Sequence, residues 1–314
     1  MDIYRGRDDA GMWCRDNAAL CPHRVWWCDA GGYARSTAVG VLCWSALFCA
    51  ICGLLYPLAK GSMERWPSKF KNENCVMWFG WHVQSTIHAC WVSSLAFAAI
   101  YTLSDAPAGA QFDASSTRNS QHINDAVGSI ANTSHVFFCY MLVDTLITLC
   151  RKEMTIDYFL HHLVFCFFCV LIQYHCFAPY LAGWLLIMEF STIFLNGFSF
   201  FRNRLGYDHL LVKAFFLLFA GSFFVSRLLG MTYIAGSFIL AVFRHEVPFA
   251  GIPRWHLYTL VVALAGAVVL QFFWAYSIGR KVTKVLVGGS DCSSREPGPG
   301  GATGDDGVEG KKAS

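Results

Sequence analysis

Seven long, largely uncharged stretches most constrain what this chain can fold into. A helix rises 1.5 Å per residue, so about 20 consecutive apolar residues cross the hydrocarbon core of a bilayer. The chain carries only 14% charged residues and 55% hydrophobic ones, whereas an ordinary soluble domain carries about 25% charged residues. We therefore predict an all-α polytopic membrane protein with seven transmembrane helices. The predicted spans are 37–59, 77–103, 131–150, 157–175, 180–201, 211–243 and 257–278.

The two ends of the chain differ from this apolar middle. Residues 1–36 are mixed in charge and contain no apolar core typical of a cleaved signal peptide, so we expect an N-terminal segment outside the cytosol and a first span, 37–59, that acts as the targeting signal. Residues 281–314 are rich in Gly, Ser, Asp and Lys, which predicts a disordered tail. The remaining six spans belong to one unit over residues 70–280.

The sixth stretch is too long for a simple span. Its 33 residues would extend about 50 Å as one helix, well beyond the hydrocarbon core. We expect this helix to tilt, to project from the bilayer or to break. Gly221, Gly230 and Gly236 are the candidate break points.

The distribution of basic residues predicts the orientation. Twelve Lys and Arg residues fall in or beside the connections 60–76, 151–152 and 202–213 and just after the last span, whereas the opposite connections hold only Arg118, Arg244 and Arg254. Cytosolic loops carry the excess of Lys and Arg. The C-terminus is therefore predicted to be cytosolic and the N-terminus lumenal. The net charge of +3 gives no indication of a nucleic-acid partner, and we predict none.

Most of the fourteen cysteines lie inside apolar stretches, where we interpret them as small buried apolar side chains. Cys14, Cys21 and Cys28 could pair in an oxidising lumen, but we favour no structural role for them. Cys166 and Cys169 share a helical face with His162, yet the middle of a helix lacks the loop of a zinc or redox motif, so we predict no metal site. The cysteines interpreted as apolar are Cys43, Cys49, Cys52, Cys90, Cys139, Cys166 and Cys169.

Ionisable residues inside the spans are the strongest functional clue, because such residues are costly in hydrocarbon and mark candidate functional sites. His161 and His162 lie about 6–8 Å below the cytosolic face, and Asp144 of the third span lies at about 9 Å. Residues of the fifth span reach a similar depth. We therefore expect one polar cluster nearer the cytosolic side, with Arg227 of the sixth span as the partner of Glu189. The cluster comprises Asp144, His161, His162, Glu189, Ser191 and Asn196.

Two interpretations of this cluster are open. The groups could simply satisfy one another and hold the helices together. We favour a polar cavity in which the histidines transfer protons or in which one attacks an activated acyl group. His161 and His162 are accordingly the candidate catalytic residues. The candidate ligand-binding residues are Asp144, Asp157, Glu189, Ser191, Asn196 and Arg227.

Other polar and aromatic residues in the spans carry less weight. We expect His82, His88 and His135 to make one interhelical hydrogen bond each. The tryptophans near the predicted interfaces, which include Trp81 and Trp274, indicate membrane placement rather than a ligand.

Four segments resemble the TLC-domain family, which includes the ceramide synthases. They are YMLVD at 140–144, DYFLHH at 157–162, EFSTIFLN at 189–196 and FFVSR at 223–227. The stretch at 188–192 departs from the synthase motif, because Met188 replaces a histidine, Thr192 replaces the second acid and Asn196 replaces a later Glu. The segments are more similar to a non-synthase branch that contains transmembrane protein 56.

The resemblance implies six helices around a lipid-accessible cavity that contains the histidines, and a location in the endoplasmic reticulum. For the non-synthase branch it implies a role in membrane lipid homeostasis by binding, sensing or redistributing a lipid. For the synthases it implies acyl transfer from acyl-CoA, as co-substrate, to a long-chain base. The expected partner is a membrane lipid or fatty acyl chain, no cofactor is expected, and a homodimer is left open. A seven-span receptor or a transporter is the remote alternative. The last span, at 271–276, lacks the Asn-Pro of a receptor's last helix, and the paired repeats typical of a transporter are not found.

Overall fold

Each predicted span is helical in the computed structural model, which describes residues 30–62, 75–106, 111, 121–175, 178–244 and 254–286. Six of the described helical segments are long and apolar enough to cross a membrane, and Ile156–Leu171 is a shorter apolar helix. The predicted fold class, an all-α polytopic membrane protein, is confirmed. The expectations for Cys14, Cys21 and Cys28 and for the C-terminal tail lie outside the described residues.

The helices follow the predicted order, with two spans divided into shorter elements. The fifth span consists of α5 and α6, and the sixth consists of α7, a π-helical segment and α8. The bounds are α1 Ala30–Ser62, α2 Cys75–Ser104, α3 Gln121–Cys150, α4 Ile156–His175, α5 Pro179–Ile187, α6 Phe190–Leu205, α7 Leu210–Ser222, the π segment Phe223–Gly230, α8 Met231–Phe243 and α9 Arg254–Leu286.

The α2 helix is central to the packing, since it contacts α1, α3, α5 and α6. Small residues allow close helix contact in membranes, where apolar burial drives association little. Gly80 of α2 faces Cys52 of α1, and Gly183 of α5 lies against Ile100 of α2. These contacts bring α2, α3 and α5 around a common apolar core, which positions the polar residues described below.

The fifth span is interrupted at Met188 and Glu189. The Glu189 N–H donates to the Leu186 carbonyl at 3.1 Å, and the Thr192 N–H donates to the Glu189 carbonyl at 2.9 Å. Bonds of this i to i+3 type tighten the chain locally and are common at helix ends. The two residues retain right-handed backbone angles, so the interruption changes the hydrogen bonding more than the direction of the span. The sequence did not predict this break.

The sixth stretch changes its winding at the π segment instead of ending. Gly230 is the last residue of this segment, and a Cβ atom there would lie 2.9 Å from the Trp184 ring. A Cβ atom at Gly221 or Gly236 would meet nothing within 4 Å. Gly221 lies one residue before the end of α7 and Gly236 lies inside α8. Of the three candidate break points, only Gly230 has a close neighbour, and its missing side chain allows the close approach of Trp184.

The cysteines divide between core and surface. Cys139 and Cys169 are buried, as predicted, whereas Cys43, Cys49 and Cys90 are exposed. The interpretation of these three as buried residues was wrong, because they occupy the outer faces of α1 and α2.

Candidate intramembrane polar site

Asp144 is a buried carboxylate that accepts hydrogen bonds from three helices. The Trp81 indole N–H of α2 donates to its Oδ1 atom. The Tyr140 hydroxyl, one turn earlier on α3, donates to the same oxygen at 3.1 Å, and the Tyr158 hydroxyl of α4 donates to Oδ2 at 2.6 Å. Asp144 is only 2% exposed, so these donors replace the water that the carboxylate lost on burial.

His162 is held on both sides of its ring. Its Nε2 atom lies 3.3 Å from Asp144 Oδ2, and its Nδ1 atom lies 2.7 Å from Thr145 Oγ1. The Thr145 hydroxyl also lies 2.7 Å from the Met141 carbonyl oxygen. The single hydroxyl proton of Thr145 can be donated to only one of these acceptors. When Thr145 donates to Nδ1, a neutral His162 carries its own proton on Nε2 and donates it to Asp144, which then has four donors.

His161 is buried beside His162 but has a different environment. Its ring packs against Phe165 at a centroid distance of 4.5 Å and meets Trp274 of α9 edge-on at 5.4 Å. The His161 and His162 centroids are 5.9 Å apart. Within the described residues, the His161 ring nitrogens have no hydrogen-bond partner. One turn earlier on α4, Asp157 interacts with the Trp274 side chain.

A second polar centre forms where Arg227 meets the interruption of the fifth span. Its Nε atom donates to the Met188 carbonyl at 3.1 Å and to Ser191 Oγ at 2.8 Å. Its Nη2 atom donates to Glu189 Oε1 at 3.3 Å and to Thr192 Oγ1 at 3.0 Å. Thr192 in turn donates to Glu189 Oε2 at 3.1 Å. The guanidinium therefore pairs with a buried acid and also satisfies a main-chain carbonyl at a helix end.

The predicted site residues thus occupy two adjacent centres rather than one continuous cluster. Asp144 and His162 form the first, and Glu189, Ser191 and Arg227 form the second, including the predicted Glu189–Arg227 pair.

Two predicted residues lie outside these centres. Asn196 donates to Thr86 Oγ1 of α2 at 3.1 Å. Asp157 lies at the start of α4, beside Trp274. The structure brings neither residue into hydrogen-bonding contact with the Asp144 or Arg227 centre.

Sequence reasoning missed several contributors. Trp81 and Trp274 were interpreted as interface aromatics, but one donates to Asp144 and the other lines the His161 side of the site. Thr145 was overlooked, although its position one residue after a buried acid and its hydroxyl were visible signals. The Met188 carbonyl could not be anticipated, because it depends on the break in the fifth span.

The other histidines differ from the expectation of one interhelical bond each. His135 does bond across helices, since its Nε2 atom lies 2.9 Å from Ser36 Oγ. The His82 Nδ1 atom instead lies 2.9 Å from the Trp78 carbonyl of its own helix. Neither ring nitrogen of His88 has a partner in the described part of the chain, and its ring stacks on Tyr140 at 3.7 Å.

A cation borders the Asp144 centre at the Cys150 end of α3. The Arg151 guanidinium carbon lies 5.0 Å from the centroid of the Trp81 ring, and its Nη2 atom lies 2.6 Å from Glu153 Oε1. Among the described residues, no three His, Cys, Asp or Glu side chains are arranged to hold a metal ion.

The fold and this site define a multi-pass helical membrane protein with ionisable residues buried between its spans. A profile of the TLC domain matches residues 79–280, about two thirds of the chain, and the protein belongs to the TLC-domain family. Neither a curated protein nor a solved structure shows significant similarity to it.

Proposed function

We propose that this protein binds a membrane lipid inside its TLC domain, with His161 as the main polar contact, and that it acts in membrane lipid homeostasis by binding, sensing or redistributing that lipid. One observation carries the proposal. Asp144, His162, Glu189 and Arg227 are all engaged by protein groups, whereas the buried His161 ring has no hydrogen-bond partner within the described residues.

The engaged groups support binding more than acid–base chemistry. Asp144 accepts up to four hydrogen bonds, so using it as a base would break bonds to a buried charge, each worth about 1.5–3 kcal/mol. Arg227 is likewise committed to Met188, Ser191 and Glu189. These groups form a fixed scaffold, and the polar atoms that it leaves for a ligand are those of His161.

The surroundings of His161 match an amphipathic ligand. The Phe165 and Trp274 rings contact it, and they offer an apolar surface to an acyl chain. The imidazole offers either a donor or an acceptor to a hydroxyl, amide or ester of the head group. An imidazole nitrogen without a protein partner gains free energy when a ligand supplies a hydrogen bond.

The second candidate function is acyl transfer from acyl-CoA to a long-chain base. One observation favours it, since His162 lies between the Thr145 hydroxyl and the Asp144 carboxylate. A base flanked by a hydroxyl and oriented by an acid is the arrangement used in nucleophilic catalysis. Here His162 would accept a proton from the attacking group, and His161 would contact the substrate.

The proposal also includes the cellular location. The excess of Lys and Arg beside one set of helix ends supports a cytosolic C-terminus and a lumenal N-terminus. Membership of the TLC-domain family supports the endoplasmic reticulum as the membrane.

A comparison of two ring substitutions tests the proposal. The protein and its His161→Phe and His162→Phe variants are purified in detergent, and the co-purifying lipids are quantified by mass spectrometry. We expect His161→Phe to lose the bound lipid and His162→Phe to retain most of it. Ser237→Ala, at a half-buried position of α8, is the control.

Measurement of acyl-CoA consumption by the same preparations separates the two candidate functions. No turnover by the wild type, together with lipid loss in His161→Phe, supports a binding protein. Turnover by the wild type that both histidine variants abolish would replace binding with acyl transfer. Equal lipid content in all four preparations would contradict the binding site.

A further inference from the structure

A cavity of about 420 Å³ lies between α2 and α3, toward the Gln121 end of α3 and away from the Asp144 centre. This volume is within the range of small-molecule sites, about 300–1,000 Å³. The cavity opens toward the outer surface, because Trp91 is 50% exposed and Leu95 is 38% exposed. Its remaining lining residues are Val92, Asp125, Gly128, Ser129, Asn132, Thr133 and Val136.

The depth of this cavity follows from the length of α3. Its 30 residues extend about 45 Å, whereas the hydrocarbon core is about 30 Å thick. Arg151 and Lys152 directly follow the last residue, Cys150, which places that end at the membrane surface. The excess length must therefore project at the Gln121 end, and the hydrocarbon begins near residue 131.

The polar lining residues of α3 form an ordered series across this boundary. Asp125 is outermost, Ser129 lies about 6 Å deeper, and Asn132 lies about 4.5 Å below Ser129. Val136 follows about 6 Å further into the hydrocarbon. A carboxylate, a hydroxyl and an amide thus lie above an apolar floor, and Trp91 of α2 provides the opposite wall.

Two of these polar side chains face the cavity without a protein partner. Asn132 is exposed on the helix surface, and neither its amide nor the Ser129 hydroxyl makes a hydrogen bond within the described residues. The Asp125 carboxylate accepts a bond from the Gln121 amide at 2.8 Å. Polar groups at the edge of hydrocarbon are costly unless something bonds to them, so these two side chains favour a ligand with complementary groups.

We propose that this cavity binds a glycerophospholipid whose head group carries a primary amine. The lipid has its groups in the order that the cavity requires. Its ammonium meets Asp125, its phosphate and ester oxygens accept hydrogen bonds from Ser129 and Asn132, and one acyl chain extends along Trp91 and Val136. This site is separate from the proposed His161 site, since Asn132 and Asp144 are about 18 Å apart along α3.

A photo-crosslinking experiment tests this site in the full-length protein. Phosphatidylcholine nanodiscs contain a small fraction of phosphatidylethanolamine that carries a diazirine and an alkyne on one acyl chain. A second set contains the same probe with its amine acetylated, which removes the cation and leaves the chains unchanged. After irradiation, labelled peptides are enriched through the alkyne and located by mass spectrometry.

We expect the amine probe to label peptides from 88–95 and 121–136 about fivefold more than the acetylated probe, the ratio for one interfacial charge contact. Asp125→Asn should abolish this preference, whereas Gln121→Ala, which removes only the amide partner of Asp125, should retain it. The combined change Ser129→Ala and Asn132→Leu should reduce labelling by both probes. The matched control is Ser237→Ala with Thr259→Val, which changes a half-buried polar position of α8 and an exposed one of α9.

Several outcomes would overturn the proposal. They are equal labelling of these segments by the two probes, labelling unaffected by the Ser129 and Asn132 changes, or labelling confined to segments outside 88–95 and 121–136. Because acetylation changes only the probe, the first comparison holds even if a protein variant folds poorly. Labelling at this cavity should persist in His161→Phe, so failure here and failure of the proposed function are distinguishable.

Discussion

The indole N–H of Trp81 donates a hydrogen bond to the Asp144 carboxylate across 63 positions of sequence. The face of the same ring contacts Arg151, whose guanidinium carbon lies 5.0 Å from the ring centroid. One aromatic side chain therefore contacts both a cation at the end of α3 and an acid buried between the spans. The cation over the indole face and the carboxylate on the indole N–H both favour this orientation of the ring. Trp81 therefore links Arg151, at the edge of the site, to Asp144, at its centre.

Replacing Trp81 with Phe should destabilise the protein by about 1.5–3 kcal/mol, the range for a hydrogen bond to a charged group. The substitution removes the N–H and keeps an aromatic ring next to Arg151. Thermal and denaturant-induced unfolding in detergent measures the effect. Trp255→Phe, at a position 64% exposed, is the control. Equal stabilities of the two variants would show that the Trp81 bond to Asp144 contributes little.

The Arg227–Glu189 pair should behave as a unit. Arg227→Met alone leaves Glu189 as an unpaired buried acid and should cost about 3–5 kcal/mol. Adding Glu189→Gln to this variant should recover part of the loss, because the uncompensated charge is gone. Unfolding free energies of the two single variants and the double variant give the coupling energy.

A coupling energy near zero would contradict this account. So would a Glu189→Gln change that costs more stability in the Arg227→Met background than it costs in the wild-type protein. Arg227→Lys is a further check on geometry. An ammonium retains the charge but not the planar set of donors, so it should not restore the bonds to the Met188 carbonyl and Ser191 together.

The sequence was sufficient to predict the helical membrane fold, because span length and low charge are properties of each segment alone. It also identified the Asp144, His162, Glu189 and Arg227 side chains, since ionisable groups in apolar stretches need partners. Their positions along the helices predicted that these side chains lie at similar depths in the membrane. It did not show how they divide into two centres, because helix rotation is set by packing against neighbours.

The features that the sequence did not reveal depend on the backbone or on long-range contact. The break at Met188 and Glu189 exposes a carbonyl to Arg227, and nothing in the local residues of an apolar helix requires such a break. Trp81 was assigned to the interface because tryptophans are enriched there. The Trp81 N–H instead donates to Asp144 of another helix, and this contact is visible only in the folded structure.

His88 provides a test of an unsatisfied buried group. Its ring is fully buried, stacks on Tyr140 at 3.7 Å, and has no hydrogen-bond partner at either nitrogen among the described residues. His88→Phe should therefore stabilise the protein by about 1–3 kcal/mol, the cost of a buried polar group without a partner. Unfolding measurements check this, and a loss of stability would show that the His88 ring has an additional polar partner. His122→Phe, on the exposed first turn of α3, controls for the change of ring.

The three glycines of the sixth span should respond differently to alanine. A Cβ atom at Gly230 would lie 2.9 Å from the Trp184 ring and 3.3 Å from the Val225 carbonyl oxygen. Because a main-chain oxygen cannot move away as a flexible side chain would, Gly230→Ala should cost about 1–3 kcal/mol, the range for overpacking.

Gly221→Ala and Gly236→Ala are the matched controls, because nothing lies within 4 Å of either added Cβ atom. Alanine lowers the backbone entropy that a glycine loses on folding, so both variants should be neutral or more stable by up to about 1 kcal/mol. Unfolding curves of the three variants measured side by side give the comparison. A tight contact at Gly230 must oppose the stabilisation that alanine gives at Gly221 and Gly236. If all three variants were stabilised by the same amount, the contact between Gly230 and Trp184 would therefore not constrain the π segment.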